Sequence, residues 1–374
     1  MTLATESPRQ RLVATLCAAG TLTQPEWIDA FAAVPRTVFA PRFYHVLPGG
    51  EQEWIDSSDP EQYARWLDVV YTDDSLVTHH NPQGTATSSS TQPSVTAMML
   101  EALELEDHHR VLEIGTGTAY NCALLCHRLG DEQVTSIDID PDLVTSARTA
   151  LDAVGFSPTL IVGDGLDYED GALYDRVIAT CSTNRVPAAW IKLCIPGGVV
   201  LANVGVGVMK LTVADDGTCA EGKSLGFAGF IEARSADGPR RLSNLEAIAL
   251  QKSNHRVSGR VVSTDYGDPA FLAWLAIAAP DLTWVEIKYE GSDDIHYLFA
   301  SPDRSWTVGT YRPDRTDLVQ QGGSRDLWDT VSYAHVRWEL AGRPSHDRFG
   351  LTVTTEGKHT LWVDEPGSHD WSLA

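Results

Sequence analysis

Two glycines and two aspartates stand where the chain could hold a nucleoside. Gly115 and Gly117 follow the short apolar run Val111-Leu112-Glu113-Ile114, and glycine permits positive φ and the close approach of a ligand to the backbone. Asp138 ends a second apolar run, roughly 20 residues later, where a carboxylate can accept hydrogen bonds from ribose hydroxyls. Asp164 follows a third such run. The spacing predicts a ligand site made of turn amides and carboxylates.

These residues need a parallel sheet to position them. After the glycine turn the chain predicts a helix over 120–129 and a second helix opened by Pro141. Strands are predicted at 111–114, 134–138, 159–162, 176–179 and 198–203. Alternating strands and helices favour an α/β, Rossmann-like sheet that binds its ligand at the carboxyl ends of the strands.

The residues before this sheet predict two short helices and a long connection. Amphipathic patterns over 8–33 stop at Pro35, and a helix is predicted over 95–105. The stretch 41–93 is rich in Pro, Gly, Ser, Asp and His, and only 63–70 indicates a short helix or strand there. Its aromatic residues argue against plain disorder, so we interpret it as a lid over the site.

The residues after the sheet differ in composition. A hairpin is predicted with arms at 206–214 and 224–233, and turn-forming residues at 235–239 indicate a linker. Seven of the 11 tryptophans fall between Trp274 and Trp371. Strands at 256–264, 283–289, 295–300 and 305–311, helices at 269–278 and 325–340, and a hairpin over 350–363 predict an α+β accessory domain. We expect a structural role or an exposed aromatic surface that recognises a peptide.

Composition excludes several classes of protein. The formal net charge is −23, from 51 acidic and 28 basic residues, which disfavours nucleic-acid and anionic membrane surfaces. No apolar run has the ~20 residues of a membrane span and 1–10 lacks a signal-peptide core, so a cytoplasmic location is expected. Six cysteines lack C-x-x-C spacing, and the pairs His79-His80 and His108-His109 lack helical ligand spacing, so no metal is expected.

The motifs as a set resemble those of protein-L-isoaspartate O-methyltransferases. The resemblance rests on Phe31-Ala32-Ala33-Val34-Pro35-Arg36, Thr91-Gln92-Pro93, Val111-Leu112-Glu113-Ile114-Gly115-Thr116-Gly117, Val162-Gly163-Asp164-Gly165, Tyr174-Asp175-Arg176 and Pro196-Gly197-Gly198. It implies a seven-stranded class I methyltransferase sheet and S-adenosyl-L-methionine as cofactor, with S-adenosyl-L-homocysteine as product. The expected domains are 1–93 (helices and lid), 94–234 (methyltransferase) and 240–374 (accessory).

A narrower resemblance is to the methyltransferases that accompany ATP-grasp ligases in making graspetides, a class of ribosomal peptides. It rests on Pro41-Arg42-Phe43-Tyr44, Thr87-Ser88-Ser89-Ser90-Thr91-Gln92-Pro93-Ser94, Leu125-Cys126-His127-Arg128-Leu129-Gly130, Ile178-Ala179-Thr180-Cys181-Ser182 and Gly226-Phe227-Ala228-Gly229-Phe230. It implies methylation of an aspartate side chain in a crosslinked peptide, leading to an aspartimide, with an ATP-grasp ligase in the same pathway.

The resemblance also implies the site residues. Those expected at the cofactor are Ser89, Ser90, Gln92, Glu113, Gly115, Thr116, Gly117, Asp138, Ile139, Asp164 and Gly165. Thr91 and Ser90 are expected at the reaction and Asp74 and Thr91 at the substrate, although Asp74 is equally well interpreted as part of a solvated turn. Thr91 replaces the family's serine, which adds a methyl group to the pocket, and Ala119 replaces a glycine, a mild change if its φ is negative.

The predicted chemistry needs no general base. A carboxylate with a reference pKa of about 4 is already ionised at neutral pH, so the protein must mainly position two reactants and exclude water. Alternatives within the same chemistry are isoaspartyl repair and methylation of a lanthipeptide aspartate. A further alternative is a non-catalytic, nucleoside-binding scaffold for a ligase. Asp138 could instead cap the helix at Pro141, Asp164 could form an ordinary turn, and Glu113, if buried, needs a partner.

Overall fold

The computed structural model describes residues 7–47, 52–82, 84–234, 242, 244–251, 256–259, 262–313, 317–368 and 370–373. The chain forms two compact units. The first contains the described residues up to Ser182 together with Ala189–Ala202 and Thr212–Gly217. The second contains Thr183–Ala188, Asn203–Leu211 and the described residues from Thr218 onward.

The N-terminal third holds five helices and a small sheet. Its elements are α1 (Pro8–Ala18), α2 (Pro25–Ala33), α3 (Arg36–Phe39), β1 (Arg42–Val46), β2 (Gln52–Asp56), α4 (Tyr63–Val69), β3 (Leu76–His80), β4 (Ala86–Ser90) and α5 (Pro93–Ala102). The four strands are antiparallel in the order β2-β1-β3-β4. The predicted irregular stretch 41–93 is therefore mostly regular structure, which sequence reasoning missed because the strands are short and a register shift interrupts β3.

The predicted parallel sheet is present. Its elements are β5 (Val111–Ile114), α6 (Tyr120–Leu129), β6 (Val134–Asp138), α7 (Pro141–Ala153), β7 (Thr159–Val162), β8 (Tyr174–Thr183), α8 (Ala188–Leu193) and β9 (Cys194–Val204), followed by β10 (Gly207–Val213) and β11 (Cys219–Phe227). A short 3-10 helix spans Asp131–Gln133. Strand β5 pairs in parallel with β6 and β8, and β6 pairs in parallel with β7. The carboxyl ends of β5, β6 and β8 therefore lie side by side at the same edge of the sheet.

The C-terminal part is α+β, as predicted from its pattern. Its elements are α9 (Asn244–Leu250), β12 (Arg256–Gly259), α10 (Pro269–Ala278), β13 (Thr283–Lys288), β14 (Ile295–Ala300), β15 (Trp306–Tyr311), β16 (Leu318–Gly322), α11 (Leu327–Leu340), β17 (Phe349–Thr354), β18 (His359–Val363) and β19 (Trp371–Leu373), with 3-10 helices at Thr264–Gly267 and His346–Arg348. Five of the strands form an antiparallel sheet in the order β12-β16-β15-β14-β13.

Proline opens many of the helices. Residues Pro8, Pro25, Pro93, Pro141 and Pro269 each occupy a first-turn position, where the missing N–H would have had no intrahelical partner. This local rule explains why several predicted helix starts fall within two residues of the observed ones. None of the helices in the described part of the chain is long and apolar enough to cross a bilayer.

The large sheet has ten strands and not the predicted seven. Its order is β19-β18-β17-β11-β10-β9-β8-β5-β6-β7. Strand β17 continues the sheet because it pairs antiparallel with β11 from Cys219 to Lys223. The observed division into units therefore differs from the predicted domain limit at 234, and the predicted linker 235–239 lies outside the described residues.

Most C-terminal tryptophans belong to the core. Five of the seven are at most 3% exposed: Trp274, Trp306, Trp328, Trp338 and Trp362. Only Trp284 among them is strongly exposed in the described residues, at 36%. The structure thus contradicts an exposed tryptophan surface here, because these rings fill the space between helices and strands.

We expect a chain truncated after Arg234 to aggregate or melt at a lower temperature than the full chain. Truncation removes β17, which leaves the hydrogen-bonding groups of β11 unpaired at a sheet edge. Size-exclusion chromatography and thermal melting would measure the effect. A monomeric truncated chain with the melting temperature of the full chain would contradict this role of β17.

Candidate functional site

The glycine turn after β5 adopts the predicted left-handed conformation. Gly115 has φ +95° and Gly117 has φ +51°. The N–H groups of Gly115 and Thr116 both donate to the Ile137 carbonyl, at 2.8 and 3.2 Å, which ties the turn to β6. Ala119 also has a positive φ, +66°, so its replacement of glycine is a strained one and not the mild change expected.

Asp138 braces this turn. Its Oδ2 accepts a hydrogen bond from the Gly117 N–H at 2.9 Å, and its Oδ1 accepts one from the Asp140 N–H at 3.0 Å. The helix cap of α7 is Asp140, whose side chain accepts from the N–H groups of Asp142 and Leu143. The alternative that Asp138 caps the helix is therefore wrong, since the neighbouring aspartate takes that role.

Glu113 lies behind the turn and is fully buried, and its carboxylate belongs to a network of side-chain hydrogen bonds. Its Oε1 accepts from Asn121 Nδ2 at 2.7 Å and its Oε2 accepts from Ser136 Oγ at 2.5 Å. Ser136 Oγ also lies 2.7 Å from Thr116 Oγ1, so the network reaches the turn. The partner that a buried Glu113 requires is thus supplied by protein side chains, where loop N–H groups or the ligand were expected. Burial raises the pKa of Glu113 to about 7.

Strand β4 carries the predicted serine run to the turn. A Cβ placed on Gly117 would lie 3.6 Å from Ser88 Oγ and 3.9 Å from the Ser89 carbonyl oxygen. The side chains of Ser88 and Ser90 are buried, whereas Ser89 and Thr91 are partly exposed. This alternation follows the two-residue period of a strand.

Ser90 differs from its expected role. It is only 1% exposed, and its hydroxyl accepts a hydrogen bond from Arg36 Nε at 3.1 Å. The side chain of Ser90 therefore holds β4 in place, which leaves Ser89 and Thr91 as the partly exposed hydroxyls at the end of the strand.

Arg36, which sequence reasoning treated only as part of a helix end, organises this region. The guanidinium is fully buried. Besides Ser90 Oγ it donates, at 2.9 to 3.2 Å, to the carbonyl oxygens of Val70, Thr72, Asp74, Ser90 and Thr91. Burial lowers the pKa of Arg36 to about 10, so the group keeps its positive charge at neutral pH.

The expected substrate residue Asp74 is exposed. Arg36 fixes its carbonyl, and not its carboxylate. The neighbouring Asp73 accepts hydrogen bonds from Gln92 Nε2 at 3.2 Å and from the Ser94 N–H at 2.7 Å. Gln92, which was expected at the cofactor, lies at the start of α5, and its side chain is held there by Asp73.

The loop after β7 closes another side of the site. Asp164 Oδ1 accepts from the Leu166 N–H at 2.9 Å, which is an ordinary turn contact. A Cβ on Gly165 would lie 2.6 Å from Ile114 Cγ2, so only glycine fits there. Trp190 Nε1 donates to the Gly165 carbonyl at 2.7 Å. Ile139 directly follows Asp138 and is partly exposed.

Thr180 and Cys181 were also missed from the sequence as parts of the site. Thr180 Oγ1 donates to the Gly115 carbonyl at 2.6 Å. A Cβ on Gly115 would lie 3.7 Å from the Cβ of Cys181. Burial raises the pKa of Cys181 to about 12, so it remains a thiol at neutral pH. The signal that could have found both is their place at the end of a strand next to β5.

Among the residues that the structure describes, two groups of side chains have metal-ligand atoms within 4.8 Å of one another. They are Glu106, His108 and His109, and Asp265, His335 and Glu339. The first group lies in a turn, so the sequence argument that adjacent histidines cannot share one face of a helix does not apply to it. In the second, Arg343 Nη2 already lies 2.7 Å from both carboxylates. The expectation that no metal is bound stays a prediction.

Glu113 should make stability depend on pH. Its pKa is raised in the folded state from 4.5 to about 7, so its stabilising contribution is complete below pH 4.5 and is lost as pH rises to about 7. Between pH 5 and pH 8, the free energy of unfolding of the wild type should fall by about 2 to 3 kcal/mol relative to that of Glu113→Gln. Urea unfolding at several pH values would measure this difference. Parallel pH profiles for the two proteins would contradict it.

Comparison with known proteins identifies the family. The family model described as Protein-L-isoaspartate(D-aspartate) O-methyltransferase (PCMT) matches residues 7–224. The protein-L-isoaspartate O-methyltransferase of Ignicoccus hospitalis is 32% identical over 202 residues, covering 53% of this chain and 82% of the relative. The protein-L-isoaspartate O-methyltransferase 2 of Archaeoglobus fulgidus is 28% identical over 215 residues, covering 56% and 85%.

A solved structure supports the fold. A chain titled protein-L-isoaspartate O-methyltransferase matches with a TM-score of 0.55 and 21% identity, over 96% of this chain and all of that one. The family model matches more than half of the sequence. The chain therefore belongs to the protein-L-isoaspartate O-methyltransferase family and is a protein O-methyltransferase dependent on S-adenosylmethionine.

Proposed function

We propose that this enzyme methylates the side-chain carboxylate of an aspartate in a ribosomally made, crosslinked peptide of the graspetide type, in the cytoplasm and in a pathway with an ATP-grasp ligase. The observation that carries the proposal is the course of β4, which brings the run ending in Thr91 to the glycine turn. Compared with the family's serine, Thr91 adds a methyl group that narrows the substrate pocket. A narrower pocket favours an aspartyl side chain over the kinked backbone of an isoaspartyl residue.

The residues present fit the cofactor. Gly115 and Gly117 leave the turn backbone open to close approach, and Asp138 ends β6 beside it. We assign the ribose to Asp138 and the adenine edge to the loop at Asp164 and Gly165. When bound, S-adenosylmethionine supplies an electrophilic methyl group on a sulfonium.

The chain's own residues then have three tasks. The Arg36 contacts fix the backbone of Thr91, so the hydroxyl beside the substrate carboxylate is positioned. The network at Glu113 holds the turn against β6. Because Cys181 stays protonated, the neighbouring thiol does not compete with the carboxylate as a nucleophile.

The methyl ester leads to the aspartimide by a balanced step. The backbone nitrogen of the following residue attacks the ester carbonyl and forms the new C–N bond. The C–O bond to the methoxy group breaks, and the amide proton leaves with it as methanol. Ring closure at the unmethylated carboxylate would have to expel oxide or hydroxide, which leaves far less readily than methanol, so methylation is what makes the closure feasible.

A second candidate function is isoaspartyl repair. It is favoured by the match over 96% of this chain to a structure that carries the repair enzyme's name, which also means that the residues beyond 224 do not argue against repair. Methylation of a lanthipeptide aspartate would use the same site. The family membership favours each of these reactions over a non-catalytic scaffold.

Mass spectrometry should separate these functions. Incubation of the crosslinked peptide with enzyme and S-adenosylmethionine is expected to add one methyl group and then to release methanol. An isoaspartyl peptide of similar length and a lanthipeptide serve as comparison substrates. Methylation of the isoaspartyl peptide alone would identify the repair enzyme and refute our proposal.

Replacement of Asp138 tests the cofactor assignment. Asp138→Ala should weaken S-adenosylhomocysteine binding by about 1.5 to 3 kcal/mol, the range for lost hydrogen bonds to a charged group. Asp140→Ala is the matched control, because it removes the cap of α7 and should cost about 1 kcal/mol of stability without changing that affinity. Calorimetric titration and thermal melting measure the two quantities. If Asp138→Ala bound S-adenosylhomocysteine as tightly as Asp140→Ala and the wild type do, Asp138 would not contact the ribose.

A further inference from the structure

One face of the small sheet β1–β4 carries a continuous row of side chains that ends at the site. Tyr44 on β1 pairs with Trp54 on β2 and with Val77 on β3, and Val77 pairs with Ser89 on β4. Residues directly opposite each other in an antiparallel sheet point to the same face. Trp54, Tyr44, Val77 and Ser89 therefore form one line across all four strands, which we call the cross-strand row.

The row lies on the face of the sheet opposite its core. Phe43, Ile55 and Leu76 alternate with the row residues and are buried against Trp66 and Val69. Trp54 is 38% exposed, and Tyr44, Val77 and Ser89 are each partly exposed. The sheet thus keeps aliphatic and aromatic groups on a face that its own core does not cover.

At the aromatic end of the row, the ring of Tyr44 contacts the rings of Trp54 and His80. The rings of Tyr44 and Trp54 lie 4.5 Å apart, and the ring of His80 meets Tyr44 edge-on at 4.5 Å. Within the described structure the buried Nδ1 of His80 has no hydrogen-bond partner. Because this nitrogen is enclosed by the protein itself, a ligand on the row would contact the partly exposed rings of Tyr44 and Trp54 and not the imidazole nitrogen.

We propose that the cross-strand row is the docking surface for the part of the substrate peptide that flanks the methylated residue. This inference rests on the proposed function in taking the substrate to be a peptide whose carboxylate lies beside Thr91. Three strand spacings separate Ser89 from Trp54, which is about 14 Å, or about four residues of extended chain. The row contains no charged side chain, so it fits a flank with apolar or aromatic residues.

Continuity with the cofactor turn identifies the occupant. Ser89 is both the last residue of the row and the residue whose carbonyl oxygen lies 3.9 Å from the Cβ position of Gly117. Thr91 lies two residues after Ser89, so a peptide whose carboxylate is presented beside Thr91 has the start of the row as its neighbouring surface. A partner unrelated to the reaction would have no reason to require this alignment.

The test uses Trp54→Ala in the full-length enzyme with two lengths of one peptide. One peptide extends five or more residues beyond the methylated residue on either side, and the other is cut to two. For the long peptide, KM should rise about tenfold, the loss typical of a buried aromatic contact, while kcat and S-adenosylhomocysteine affinity stay within twofold. For the short peptide no constant should change.

Two further variants keep the result interpretable. Trp284→Ala removes a tryptophan of similar exposure, 36%, from strand β13 and should change neither peptide's KM. Trp54→Phe keeps a ring on the row and should restore most of the affinity, which a loss of folding would not explain. A tenfold effect of Trp54→Ala on both peptides, or none on the long one, would overturn the inference.

The choice of peptide separates this inference from the proposed function. The wild type is first offered the crosslinked peptide and an isoaspartyl peptide, and the row is then tested with whichever is methylated. If only the isoaspartyl peptide reacts, the aspartyl proposal fails while the length-dependent effect of Trp54→Ala still decides the role of the row.

Discussion

The site depends on the buried guanidinium of Arg36. A buried cation must have its donors satisfied, and here they meet five backbone carbonyls and one hydroxyl from two separate segments. Movement of residues 70–74 or of 90–91 would leave a buried donor unpaired. The serine run of β4 is therefore fixed to the helix that carries Arg36, and the position of Thr91 follows from it.

The opposite wall of the site depends on the carboxyl groups of β5 and β6. Glu113 is buried and bonded to Asn121 and Ser136, and burial raises its pKa to about 7. Asp138 accepts a hydrogen bond from the glycine turn itself. These contacts fix backbone geometry, which is what a reaction whose nucleophile is already ionised chiefly requires.

Our proposal places peptide recognition on the small N-terminal sheet. The C-terminal tryptophans that suggested such a role fill the core of their own unit, with four of them at most 1% exposed. Strand β4, in contrast, lies against the glycine turn and carries Ser89 of the cross-strand row. In our proposal this one strand therefore links the site of methyl transfer to the path of the peptide.

The sequence by itself determined what depends on neighbouring residues. The strands 111–114 and 159–162 and the helices 120–129 and 269–278 have their predicted bounds, because hydrophobic period, glycine turns and first-turn prolines act locally. Only the tertiary structure decided the contacts between distant residues. Arg36 bonds a hydroxyl 54 residues away, Asp138 accepts a hydrogen bond from the Gly117 N–H 21 residues away, and β11 pairs with β17. Such pairings follow from which groups must be satisfied when the chain is packed, and no local pattern carries that information.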